Sequence, residues 1–124
     1  MRKAWILVLS ALATCQAASA AEEAWKAKLE AALDSPIRTE AEKARDANRR
    51  PLETLEFMQF RDDLRVLELF PGTGWYTKLL APVLAERGRL YLALRTDRIE
   101  GVIESIPELG TAEVLDVNPS MLST

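Results

Sequence analysis

The sequence predicts an α/β fold in which N-terminal helices precede a parallel sheet of about three strands. Three short apolar runs, at residues 66–70, 90–94 and 112–117, have the length and composition of strands. The two segments between them carry helical periodicity and are too long for hairpin turns. Alternating strands and helices favour parallel strands joined by right-handed crossovers. The pattern corresponds to one half of a doubly wound domain.

The first predicted strand, residues 66–70, is nearly continuous in apolar residues, which is typical of a strand buried on both faces. Residues 75–86 form a predicted helix whose apolar side consists of Tyr76, Leu79, Leu80, Val83 and Leu84. A weaker helix is predicted for residues 97–106, between the second and third strands. We assign the whole sheet region to residues 62–124.

Residues 21–61 are predicted to form a helical segment. Its first helix, residues 22–33, places one set of apolar side chains on one face: Trp25, Leu29, Ala32 and Leu33. Thr39 and Glu42 have the spacing of a capping box, so a second helix should start near Glu40 and end by Arg49 or Arg50. A third helix should run from Pro51 to Phe60, with an apolar face of Leu52, Leu55, Met58 or Gln59, and Phe60.

Residues 1–20 are predicted to be a signal peptide. Arg2 and Lys3 supply its positive start, residues 5–13 its apolar centre, and residues 18–20 (Ala-Ser-Ala) the small side chains before the cut. Cleavage there would give a periplasmic or secreted protein that begins at Ala21.

Two alternatives to ordinary cleavage stay open. The apolar run could serve as an N-terminal membrane anchor, although it is shorter than the roughly 20 residues that a spanning helix needs. The tetrad Leu12-Ala13-Thr14-Cys15 has the outline of a lipobox, in which the protein would be lipid-anchored through Cys15.

The composition excludes several classes of function. The chain has no histidine and one cysteine, so a Ser-His-Asp or Cys-His mechanism within it is ruled out, and we expect no metal site. Loss of Arg2 and Lys3 with the signal would leave 14 basic against 19 acidic residues, a net charge of −5. We expect no nucleic-acid binding, because the nearest approach to a basic cluster, Arg45, Arg49 and Arg50, is interpreted as a solvated helix end.

A glycine-rich turn, Phe-Pro-Gly-Thr-Gly at residues 70–74, lies between the first strand and the following helix. In a parallel sheet this position faces the ligand crevice. The dinucleotide fingerprint fails because Thr77 stands in place of the third glycine. The phosphate-binding P-loop fails because Lys78 has the wrong spacing from Gly72 and Gly74.

The strand, the acid Glu68, the turn Pro71-Gly72-Thr73-Gly74 and the aromatic helix start resemble motif I of class I S-adenosylmethionine-dependent methyltransferases. The likeness is closer still to the bacterial predicted exported methyltransferases, through residues 44–55 and through Gly74-Trp75-Tyr76-Thr77 with residues 80–82. The resemblance implies a partial Rossmann-like sheet. Because the family's domain is longer, it also implies a truncated chain that holds the N-terminal half of that domain.

The resemblance further implies S-adenosyl-L-methionine as the cofactor and small-molecule methyl donor. Pro71, Gly72 and Gly74 would then line its pocket, with Glu68 near its methionine end. Asp97 would either bind the ribose hydroxyls or cap a helix. No catalytic residue and no methyl acceptor is implied. The sequence differs from the family at Phe70, where many members have a first glycine, at Arg50, where relatives tend to have histidine, and in the three residues that separate the second strand from Asp97.

Two functions follow as hypotheses. The chain is either an exported methyltransferase-family enzyme or a truncated, non-catalytic Rossmann-like remnant that acts as a binding or interaction module. Half a sheet would leave an exposed edge, which dimerisation or a partner chain would cover; a frameshift that cuts short a longer protein is the third alternative, and the sequence does not choose among them. If the turn binds the methyl donor, Gly74→Val should abolish binding and Lys78→Ala should matter little.

Overall fold

The computed structural model describes the backbone of residues 2–117 and the side chains of residues 16–117. Four helices come first: α1 (Arg2–Asp34), α2 (Glu40–Lys43), α3 (Asp46–Arg49) and α4 (Pro51–Phe57). The sheet region follows, in the order β1 (Arg65–Leu69), α5 (Thr77–Leu84), β2 (Arg89–Ala93), α6 (Asp97–Ser105), a 3₁₀ helix (Pro107–Leu109) and β3 (Ala112–Val114).

The three strands form one open parallel sheet in the order β1-β2-β3. Arg65 of β1 is aligned with Arg89 of β2, and Leu90 of β2 with Ala112 of β3. The mixed α/β class and the three-stranded parallel sheet are therefore confirmed, and the arrangement is compatible with part of a Rossmann-like fold.

Helix α5 lies at the centre of the hydrophobic core, between the sheet and α1. Seven of its eight residues are buried because it is covered from two sides. The predicted face of α1 is confirmed, since Trp25, Leu29 and Ala32 are all buried. Trp25 also meets Phe60 edge to face, with ring centroids 5.3 Å apart. This aromatic pair ties α1 to the chain just after α4.

The prediction that β1 is buried on both faces is wrong. Its residues alternate between exposed and half-buried, and Leu67 and Leu69 are 54% and 51% exposed. The register places Tyr91 and Glu113 on the same face as Leu67. Leu90 and Leu92, on the other face of β2, are buried under the helices. No helix of the described residues covers the first face, so β1 is both an edge strand and open to solvent on one side.

The helical segment before the sheet is more broken than predicted. The capping box is confirmed, because the Glu42 N–H donates to Thr39 Oγ1 over 3.2 Å and the Thr39 N–H donates to Glu42 Oε2 over 2.7 Å. The single helix expected after it is interrupted by a turn between α2 and α3. Arg50 then adopts a left-handed φ of 45° and Pro51 opens α4.

Helix α4 ends three residues earlier than predicted. Met58, placed on its apolar face by the sequence, is instead 67% exposed. Gln59 has a φ of 55°, which turns the chain and brings Phe60 into the core without helical geometry. Within the described residues, no helix has the length and apolar character needed to cross a bilayer.

Candidate ligand-binding site at the glycine turn

The glycine turn connects β1 directly to the start of α5. The Phe70 N–H donates to the Ala93 carbonyl over 3.1 Å, which extends the pairing of β1 with β2 by one residue. The Gly74 N–H donates to the Pro71 carbonyl over 2.9 Å and closes a tight turn. The Gly74 carbonyl then accepts from the Lys78 N–H over 2.9 Å, which is the first helical bond. Strand, turn and helix are thus joined without a flexible linker.

Left-handed backbone is concentrated at the carboxyl ends of β1 and β2. Gly72 and Gly74 have φ values of 59° and 91°, but Phe70, Leu94 and Arg95 also have positive φ, at 55°, 66° and 52°. For residues with a Cβ atom this conformation costs on the order of 1–2 kcal/mol each. Backbone strain of this kind is typical of functional sites. Phe70 thus adopts a backbone conformation that glycine would adopt at lower cost.

The two glycines of the turn have different surroundings. A Cβ atom on Gly72 would meet nothing within 4 Å. A Cβ atom on Gly74 would lie 2.5 Å from Cδ1 of Ile99 and 3.4 Å from Cβ of Thr77. Gly74 is therefore needed for the packing of α6 against the turn, whereas Gly72 leaves open space that a ligand could use.

A cavity of about 290 Å³ opens at this end of the sheet. Its lining consists of Phe70, Gly72, Arg95, Asp97 and Arg98. The structure thus brings together two of the five predicted binding residues, Gly72 and Asp97, from two different strand ends. Pro71 and Gly74 are buried in the turn beside the cavity and do not line it, and neither does Glu68.

Asp97 is the first residue of α6, and its side chain is exposed. The N-cap position is held by Thr96, which makes no capping hydrogen bond from its side chain. Asp97 therefore does not cap the helix, and that interpretation is wrong. Among the side chains of residues 16–117, no hydrogen bond or ion pair engages its carboxylate. The carboxylate is available to accept hydrogen bonds from a ligand hydroxyl.

Glu68 lies on the covered face of β1, in register with Leu92. Its Oε2 accepts a hydrogen bond from Thr77 Oγ1 over 2.7 Å, which links β1 to the first turn of α5. Burial raises the pKa of the Glu68 carboxyl to about 7, and the bond from Thr77 only partly opposes this. Glu68 is consequently close to half-protonated at neutral pH, and a nearby ammonium group would favour its ionised form.

Lys78 and Glu42 form a buried ion pair behind the turn. Lys78 Nζ donates to both carboxylate oxygens of Glu42, over 2.9 and 3.0 Å. Burial alone would raise the pKa of Glu42, but the bonds from Lys78 and from the Thr39 backbone outweigh it and hold the pKa below its usual value. The ion pair gives Lys78 a structural role that the sequence did not predict, and the expectation that Lys78→Ala matters little for ligand binding stays a prediction.

Trp75 is fixed by the same helical segment. Its indole N–H donates to the Glu42 carbonyl over 2.9 Å. The guanidinium carbons of Arg49 and Arg38 lie 4.5 and 5.5 Å from its ring centroid. Arg38 is itself buried and paired with Asp46. Arg49 is exposed, as expected of a helix end, but it also stacks on the Trp75 ring. No local pattern in the sequence indicated these pairings.

A larger cavity of about 480 Å³ lies away from the turn, between α1 and the chain around Phe60. Ala18 and Ala21 form part of its wall, on either side of the predicted signal cleavage point. Its buried acid, Asp62, is already paired with Lys28 and Arg87. We therefore take the smaller cavity as the candidate site. Among the described residues, no group of three or more potential metal ligands is assembled.

Comparisons with family models, with curated proteins and with solved structures found no match to this chain.

Proposed function

We propose that this chain is an exported member of the class I S-adenosylmethionine-dependent methyltransferases and that it contributes the cofactor-binding half of their domain. The observation that carries the proposal is the cavity at the carboxyl ends of β1 and β2, which is lined by both Gly72 and Asp97. Ligands of open parallel sheets bind outside this end of the strands. The motif I resemblance of residues 66–77 supplies the identity of the ligand.

The donor set of the site agrees with such a ligand. The Asp97 carboxylate would accept hydrogen bonds from the ribose hydroxyls, and the open space at Gly72 would let the ligand approach the backbone. Glu68 does not line the cavity, and only the resemblance assigns its carboxylate to the ammonium group of the ligand. S-adenosylmethionine supplies an activated methyl group on a sulfonium. The protein's part in its transfer is mainly positioning, which needs neither histidine nor cysteine.

The size of the cavity sets an expectation for affinity. At about 290 Å³ it is at the lower limit of the roughly 300–1,000 Å³ usual for small-molecule sites. It would enclose only part of a nucleoside-sized ligand. We therefore propose weak binding by this chain and assign it no methyl acceptor and no catalytic residue. The proposed mature protein begins at Ala21, or at a lipidated Cys15, outside the cytoplasm.

Titration calorimetry of the purified protein with S-adenosylmethionine and with its demethylated product tests the proposal. We expect measurable heat for both ligands at millimolar concentration, and a weaker signal for Gly72→Ala. The matched control is Gly101→Ala, because Gly101 lies in α6 and a Cβ atom there also meets nothing within 4 Å. No heat and no thermal shift from a sample with folded circular dichroism would contradict cofactor binding.

The non-catalytic alternative is favoured by one observation, the open face and free edge of β1. Leu67 and Leu69 are half exposed there, and the described residues leave the outer edge of β1 without a partner strand. Such an edge is a template for pairing with another chain. Sedimentation velocity across a range of concentrations tests this function. A monomer at all concentrations that also binds no partner from its own compartment would argue against it.

A further inference from the structure

The residues that line the candidate cavity have a net positive charge. Two of its five lining residues, Arg95 and Arg98, are arginines, against one acid, Asp97. Arg95 follows β2 and Arg98 lies in the first turn of α6, so the two arginines line the cavity from positions three residues apart. Both side chains are exposed. Among the side chains of residues 16–117, no acid forms an ion pair with either arginine.

After Asp97, the next acid on α6 is held by a hydroxyl group and pairs with neither arginine. Glu100 is the nearest acid along α6 after Asp97, and its Oε1 accepts a hydrogen bond from Thr96 Oγ1 over 2.8 Å. Arg95 itself is held in left-handed backbone, with a φ of 52° directly after Leu94 at 66°. Arg95 therefore has an energetically costly backbone conformation, and none of the ion pairs among the side chains of residues 16–117 accounts for it.

The chemistry of the lining fits a phosphorylated nucleoside. Guanidinium groups recognise phosphate through paired, charge-assisted hydrogen bonds. The Asp97 carboxylate would repel an anion at its own position but would accept from a ribose hydroxyl. Phe70 is 60% exposed at the cavity and offers an aromatic surface on which a base can stack. S-adenosylmethionine has no phosphate, and its single carboxylate belongs to the methionine end, which the resemblance assigns to the side of Glu68. No anion of that ligand would therefore lie at its ribose, beside these arginines.

We infer that Arg95 and Arg98 make this cavity selective for an adenosine ligand that carries a phosphate on its ribose. The adenosine part of the ligand rests on the proposed function. The phosphate is inferred from the two arginines, and the free ribose hydroxyl from Asp97. The preference should weaken as salt is added, because both guanidinium groups are open to solvent.

The test is calorimetric titration of the full chain with adenosine 2′-monophosphate, adenosine 5′-monophosphate, adenosine and S-adenosylmethionine. We expect adenosine 2′-monophosphate to bind about tenfold more tightly than adenosine at low salt, as one or two charged hydrogen bonds would give. Arg98→Gln and Arg95→Gln should each remove most of that preference, and should weaken the binding of adenosine much less than the binding of its phosphate. A greater preference for the 5′-phosphate over the 2′-phosphate would support an arginine site with a reversed nucleoside.

Arg65→Gln is the matched control, since Arg65 is an exposed arginine at the opposite, amino end of β1. It changes the net charge by the same amount and should leave the preference intact. If Arg65→Gln weakens phosphate binding as much as Arg98→Gln, or if adenosine and its phosphates bind equally, the inference is overturned. S-adenosylmethionine binding without any phosphate preference would keep the proposed function and reject this inference. If the adenosine phosphates bind and S-adenosylmethionine does not, the inference is kept and the proposed function is rejected.

Discussion

Lys78 Nζ lies 2.9 Å from Oε1 of Glu42, and the two side chains are only 8% and 11% exposed. Lys78 belongs to the first turn of α5, next to the glycine turn, and Glu42 belongs to α2. This ion pair fixes the N-terminal helical segment to the helix that follows the candidate site. The position of the turn therefore depends on Glu42, which precedes Lys78 by 36 positions.

Lys78→Met should destabilise the protein by about 3 kcal/mol, because it leaves the Glu42 carboxylate buried without its cation. Urea unfolding measures this change. Lys43→Met, in the same helix as Glu42 but half-buried, should cost far less. Adding Glu42→Gln to Lys78→Met should recover part of the loss, because the buried group is then neutral. Equal destabilisation by the Lys43 and Lys78 substitutions would contradict a special role for the pair.

The free energy of unfolding should fall as the pH rises from about 4.5 to about 7, by up to about 3 kcal/mol. Glu68 has a pKa near 7 when folded and 4.5 when unfolded, so the folded state holds the proton more tightly in this window. Its stabilising contribution is complete below pH 4.5 and is lost as the pH passes 7. The lowered pKa of Glu42 acts only below this range, where that carboxylate gains its proton.

Glu68→Gln isolates this effect, since glutamine can still accept the hydrogen bond from Thr77. Unfolding curves at pH 5, 6 and 8 should show a smaller pH dependence for the variant than for the unaltered protein. If the two proteins show the same slope between pH 5 and 8, Glu68 does not titrate in the way that its burial indicates.

Phe70→Gly should stabilise the protein by about 0.5–1 kcal/mol. Glycine relieves the cost of a φ of 55° at this position, and the gain exceeds the added entropy of the unfolded chain. The ring is 60% exposed, so little apolar burial is lost. The neighbouring Leu69→Gly is the control, because Leu69 is similarly exposed but lies in the extended backbone of β1. This substitution should destabilise the protein. If both substitutions lower the melting temperature by the same amount, backbone strain at Phe70 is refuted.

Gly74→Ala should be strongly destabilising, while Gly72→Ala should retain the fold at a cost of about 1 kcal/mol for its positive φ. The reason for the difference is Cδ1 of Ile99, 2.5 Å from a Cβ atom on Gly74. Ile99→Val removes that methyl group, so the double variant Gly74→Ala, Ile99→Val should be more stable than Gly74→Ala alone. Circular dichroism melts of the four variants decide the point. A double variant less stable than Gly74→Ala would reject this contact as the cause.

The different surroundings of Gly72 and Gly74 decide which glycine should be substituted to test ligand binding. Gly74→Val, expected from the sequence to abolish binding, would also disturb the packing of α6. Gly72→Ala is the better probe, because its side chain would enter open space at the wall of the cavity. A loss of binding there cannot be attributed to a collapsed core.

The features that the sequence predicted correctly are those with local causes. The Thr39 capping box, the buried face of α1 and the glycine turn each depend on residues a few positions apart. The buried ion pair of Lys78 has no such signal, since its partner comes from a separate helix. The open face of β1 was missed because its apolar composition is the same whether or not a helix covers it.

The candidate site was likewise only half predicted. Gly72 and Asp97 were predicted from the resemblance to a known family, although three residues separate Asp97 from the second strand, and the structure places both at one cavity. Arg95 and Arg98 were passed over, because an arginine after a strand has many surface roles. What distinguishes them is their shared position beside the left-handed backbone of Leu94, and backbone φ at a non-glycine residue cannot be inferred from composition.

The chain order of the sheet has a consequence for biosynthesis. Each strand pairs with the one made just before it, so β1, β2 and β3 can be added one at a time as the polypeptide leaves the ribosome. The N-terminal helix, in contrast, is made long before the helix on which it packs. The apolar face of α1, with Trp25 and Leu29, has no α5 to pack against until about 50 more residues have been made. During that interval the apolar face of α1 is exposed on the nascent chain, and a chaperone that binds exposed apolar surfaces would bind it there.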